Sequence, residues 1–149
     1  MSFKIGAATI TKAYLGATEI IKAYLGANLV FSSGDTTSFI TTWRTTSSNE
    51  SITIPTGGQV YNYDLSTSDG QTFTGVTGAQ TITFASAGDY DISISGTFPR
   101  IFFNNSGDKD KIIKVKQWGT IAWGSRQDNA FSGVSNCDWT ATDFPNWSN

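Results

Sequence analysis

The chain has 149 residues, 38% of them hydrophobic, with 10 Lys and Arg against 12 Asp and Glu for a formal net charge of −2. That length holds one domain and an appendage, and so few basic residues give nucleic-acid binding, which runs on counterion release, little to act through. There is no His and a single Cys, which excludes imidazole chemistry, thiolate metal clusters and internal disulfides.

Charged residues make up 15%, against about 25% in an ordinary domain. Thr, Ser, Asn and Gly fill the deficit and favour strands and turns. The opening Met1-Ser2-Phe3-Lys4-Ile5-Gly6 lacks the apolar core of a secretory signal, and no apolar run approaches about 18 residues. The expectation is a protein made in a host cytoplasm, with no membrane insertion.

A ten-residue repeat fills residues 1–31. Ala13-Tyr14-Leu15-Gly16-Ala17-Thr18-Glu19-Ile20-Ile21-Lys22 is followed by Ala23-Tyr24-Leu25-Gly26-Ala27-Asn28-Leu29-Val30-Phe31-Ser32, and residues 3–12 form a weaker copy. A Gly-Ala pair every ten residues reads as a tight turn between strands of about six to eight residues, which predicts a β-meander. Both faces carry apolar groups, so one is left for another chain to cover. Tyr14, Leu15, Ile20, Tyr24, Leu25 and Leu29 are the candidate docking and oligomerisation residues. Tandem units of this type resemble those near the starts of bacteriophage virion proteins such as tail-fibre and head-fibre proteins. The resemblance implies attachment to other virion proteins through residues 3–31, and a homo-oligomer. The alternative is that these strands extend the main domain.

A polar linker, residues 32–37, precedes seven predicted strands at 39–43, 51–54, 60–65, 71–74, 81–84, 90–94 and 101–103. Their number and spacing predict an immunoglobulin-like sandwich over residues 38–103. Alternation assigns Ile52, Ile54, Tyr61, Tyr63, Leu65, Ile82, Phe84, Tyr90, Ile92 and Ile94 to the core, with Val60 at the strand entrance. Thr53, Thr81, Thr83, Asp91 and Ser93 face water. The stretch Phe84-Ala85-Ser86-Ala87-Gly88-Asp89-Tyr90-Asp91-Ile92 resembles the PKD variety of the immunoglobulin-like fold. That likeness implies a sharp Ala87-Gly88 turn and a tyrosine corner at Tyr90. The earlier Asp64-Leu65-Ser66-Thr67-Ser68-Asp69-Gly70 lacks the tryptophan and the first Asp-Gly pair of the PKD turn.

Residues 104–149 read as an irregular capping segment. Phe98-Pro99-Arg100-Ile101-Phe102-Phe103-Asn104-Asn105-Ser106-Gly107-Asp108-Lys109-Asp110-Lys111 resembles BspA-type leucine-rich-repeat surface proteins, in which a PKD-like domain precedes a repeat array. Here the array is cut short, and one repeat cannot bury its own face. The segment must therefore pack on the sandwich or on a neighbouring subunit. Trp118, Trp123, Trp139 and Trp147 concentrate here, and three uses fit them: capping the sandwich, which weighs most, a subunit interface, or stacking on glycan.

Asp108-Lys109-Asp110 lacks the downstream ligands of a calcium loop and reads as a solvated turn. No catalytic, metal or cofactor site is expected, so the chain reads as no enzyme. The resulting expectation is an all-β attachment component on a virion surface, with a host-surface glycan or protein as a further partner. A bacterial cell-surface adhesin module is the alternative.

Overall fold

The computed structural model describes residues 35–147 and, by their backbone, residues 13–15, 18–20, 22–25 and 28–32. The chain falls into two compact units, Met1–Asp35 and Thr36–Asn149. The described residues are all-β, with no helix.

In the first unit β1 (Ala13–Leu15) pairs antiparallel with β2 (Thr18–Ile20), and β3 (Lys22–Leu25) with β4 (Asn28–Ser32). The ladders close at Leu15↔Thr18 and Leu25↔Asn28, the span of a two-residue hairpin turn. Among the described residues these are two separate two-stranded sheets rather than one continuous meander. The strands are shorter than the repeat predicts, and the copy at residues 3–12 lies outside the described residues.

The second unit is built from β5 (Phe39–Thr45), β6 (Glu50–Ile54), β7 (Asn62–Thr67), β8 (Thr72–Val76), β9 (Gln80–Phe84), β10 (Gly88–Thr97) and β11 (Ile112–Gln117), with two-residue strands β12 (Ala122–Trp123), β13 (Asp138–Trp139) and β14 (Asn146–Trp147). One six-stranded sheet runs β13-β11-β5-β10-β7-β8, while β6 and β9 form a second sheet. Their inward side chains share one core that includes Phe39, Trp43, Ile52, Ile82, Phe84 and Ile92. Period-2 alternation puts them there. In β7, for instance, Tyr63, Leu65 and Thr67 are buried while Asn62, Asp64 and Ser66 are exposed.

The outward residues pair across the strands. Thr53 and Thr81 hydroxyls lie 2.9 Å apart, and those of Ser51 and Thr83 2.8 Å, hydrogen bonds of the kind that stabilise adjacent strands. The Tyr90 ring stacks on Phe84, 4.0 Å between centroids, and its hydroxyl donates to Ser86 O at 2.8 Å. The ring is half-buried rather than buried.

Three expectations change. Val60 is 83% exposed and precedes its strand. Residues 101–103 are not a strand, although Ile101 and Phe103 are buried. Their amides leave the sheet instead, Phe102 N for Pro55 O and Phe103 N for Ala130 O, and Asn104 and Asn105 follow with positive φ, which ends any ladder. The seventh long strand is β11, in the segment expected only to cap. It pairs with β5 inside the main sheet, with Ile112 and Val115 buried.

The loop before β11 also guards the second sheet. Lys111 Nζ contacts Ser51 O (2.7 Å), Glu50 (2.9 Å) and Asp108 (3.0 Å), and Asp108 accepts a hydrogen bond from Thr53 N at 2.8 Å. These groups take up backbone positions of β6 that a further strand would use. The Asp108 carboxylate is thus committed to protein partners.

Glu50 also accepts from Thr46 N (2.6 Å) and Ser47 N (3.1 Å). The Thr46 amide, with Lys111, draws its carboxyl from an ordinary 4.5 down to about 2. A depressed carboxyl pKa supplies stability that is whole above the unfolded value and lost as pH falls through the folded one. Glu50→Gln should therefore lower the melting temperature at neutral pH, with the gap to the parent closing between pH 4.5 and 2. Parallel melting curves across that range would be the contrary result.

Candidate binding cleft

The four C-terminal tryptophans sit on short elements that the main sheet positions. Strand β13 adds parallel to β11, with Val115 opposite Trp139, and β14 adds parallel to β12, with Trp123 opposite Trp147. Thr140 N and Ala141 N both donate to Val115 O at 3.0 Å. The Asp143 carboxylate accepts from Trp118 N (3.0 Å) and Gly119 N (2.7 Å), clamping the turn after β11. These bonds fix where the indoles stand.

Phe39, Trp118 and Trp139 form a column from core to surface, with centroid spacings of 5.7 and 6.0 Å and interplanar angles of 19° and 15°. Phe131 meets Trp139 edge-on at 5.0 Å. Offset stacks and edge contacts of this kind are favourable ring geometries and hold a surface indole in place. Trp123 is 1% exposed and belongs to the core, whereas Trp139 and Trp147 are 53% and 56% exposed. All four line one cleft of about 290 Å³, together with Phe131 and Gln127. No charged side chain contributes to that lining.

The sequence singled out the four indoles, and the fold brings them together. Nothing in the local pattern pointed to Phe131 or Gln127, which reach the cleft from the 124–134 loops, nor to the Asp143 clamp. Tyr14, Leu15, Ile20, Tyr24, Leu25 and Leu29 lie on β1–β4, and what their side chains do falls outside the described residues.

A larger groove of about 860 Å³ lies on the outer face of the six-stranded sheet, lined by Arg44, Asp89, Asp91, Lys114, Lys116 and Asp138 among others. Its charges are largely spent on one another. Arg44 pairs with Asp89 at 2.7 Å, and Asp91 accepts from Thr42 and Lys116, each at 2.7 Å. The Arg44 hydrogen bond lowers the Asp89 carboxyl. Burial pushes Asp91 up, but the Lys116 and Thr42 bonds outweigh it and its carboxyl also lies low. Cys137, half-buried, has its thiol pushed up to about 11 by desolvation, so at neutral pH it is protonated and a poor nucleophile.

No protein-family model, curated protein or solved structure matches this chain.

Proposed function

We propose that the chain is a non-catalytic attachment component of a bacteriophage virion, held to the particle by its N-terminal hairpins and displaying an immunoglobulin-like domain outward. The observation that carries this reading is the division into a unit of repeated short hairpins and a compact all-β unit. Two-stranded hairpins are marginal alone in water, so a repeated set of them gains stability from a partner surface. The partners are other virion proteins, through residues 3–31, and further copies of the chain. With net charge −2, nucleic acid is not among them.

Two sheets around one core and the Tyr90 hydroxyl on Ser86 O support the immunoglobulin-like assignment. Strand order departs from the usual pattern, because β5 lies between β10 and β11, whereas the first strand of such sandwiches belongs to the sheet opposite the last. The domain is proposed as a variant of that fold.

Deletion of residues 1–31 should reduce co-sedimentation with assembled virions to background while the thermal transition of the remainder persists. A truncated chain that still joins particles would sink the docking role. A second reading, a cell-surface adhesin module, is favoured by the half-exposed indoles Trp139 and Trp147.

A further inference from the structure

From the cleft beside Trp139 and Trp147 we infer a binding site for a neutral carbohydrate, with a pyranose ring stacked on the exposed indole faces. The inference rests on the reading of this domain as one displayed for attachment, and it names the ligand.

Three features select the ligand class. The lining is uncharged, so no side chain is present to ion-pair with a phosphate, sulfate or carboxylate. Trp139 and Trp147 are each about half open to solvent, and Trp139 is backed by the Trp118 stack and braced by Phe131. A face held in that way binds without first losing side-chain freedom. Gln127, finally, spends its amide nitrogen on Pro99 O and Gly124 O, both at 2.8 Å. Its remaining polar atom is an uncharged acceptor suited to a hydroxyl. An apolar ring face edged with hydroxyl donors is the chemistry of a sugar.

Size argues against a protein occupant. A stable protein interface engages about 20–30 residues a side, while the exposed large apolar side chains of this stretch are Trp139, Phe144 and Trp147 among the described residues. A cleft of about 290 Å³ suits a small ligand or the end of an oligosaccharide.

The test applies the full chain to an array of neutral and acidic oligosaccharides, followed by tryptophan-fluorescence titration with the best-retained neutral member. Neutral glycans should be retained, and Trp139→Ala and Trp147→Ala should each weaken association roughly tenfold. Trp139→Phe should keep most of the binding, and Trp139→Phe and Trp147→Ala should melt close to the parent, whereas Trp139→Ala also gives up its ring contacts with Trp118 and Phe131. Silence across the neutral glycans, retention of acidic glycans only, or titrations unchanged by both alanine variants would overturn the site. So would sedimentation showing that the replacements dissolve a dimer, since a second copy would then be the occupant. Virion co-sedimentation reads residues 1–31 and is scored separately, so failed glycan binding leaves the docking result standing.

Discussion

Ile92→Asn should lower the thermal transition of the second unit far more than any change on the outer face of the same strand. Ile92 is fully buried in β10, paired to Thr41 of β5 on one side and Thr67 of β7 on the other. Losing its burial costs about 1.5–3 kcal/mol, and an amide left without partners there adds about 1–3 kcal/mol. A domain of this size has roughly 5–15 kcal/mol in all, and the damage falls on the strand that joins both halves of the main sheet. Its neighbour makes the control. Ser93 lies on the opposite face, between Ile40 and Ser66, so Ser93→Ala should stay within about 0.5 kcal/mol of the parent. Circular dichroism melts of the two variants decide it: an Ile92→Asn chain that melts sharply near the parent temperature would mean that β10 is not the centre of the core.

The same alternation explains how far the fold was legible. Strands β6, β7, β9 and β10 alternate apolar and polar residues through Ile52 and Ile54, Tyr63 and Leu65, Ile82 and Phe84, and Tyr90, Ile92 and Ile94, and the predicted strands lie within two or three residues of the observed bounds. Two segments break that periodicity. In β11, Ile112 and Val115 are the buried positions, and irregular register at Ile113 and Lys116 puts them on one face despite an odd spacing. Ile101 and Phe103 present the reverse case, a period-2 pair that is buried by turns rather than by a ladder.

The cleft was legible in kind but not in assembly. Four tryptophans within thirty residues are a compositional signal. The two-residue bridges that align them, β11 with β13 and β12 with β14, are parallel contacts across more than twenty residues, and no local pattern encodes such pairings. Asp143 was invisible for the same reason: its carboxylate works on backbone amides 24 and 25 residues away. The sequence also treats the four indoles alike, whereas the fold divides them between core and surface. Trp123 is packed against Phe39 at 4.9 Å, which leaves Trp139 and Trp147 as the pair open to a ligand.

Gly119→Ala should be the most damaging single-methyl change in the C-terminal half. Gly119 has φ +69°, a conformation that costs an L-residue about 1–2 kcal/mol. A Cβ there would also press into the carbonyl oxygens of Thr37 and Ser38. Those oxygens cannot yield freely, because Thr37 O accepts Thr120 N and Ser38 O accepts the Gln117 amide, each at 2.8 Å. The methyl therefore prises the start of β5 from the turn that carries Trp118, and with it the foot of the Phe39–Trp118–Trp139 column. Gly70→Ala separates the two contributions, since Gly70 has φ +94° with nothing near its missing Cβ and should show the conformational cost alone. Gly119→Ala should lose about 2–5 kcal/mol by denaturant titration, conformational cost and steric displacement together. Its tryptophan emission should shift to the red as the column opens. Equal losses in the two variants would mean that the turn accommodates a side chain and that the packing of β5 against it does not hold the cleft.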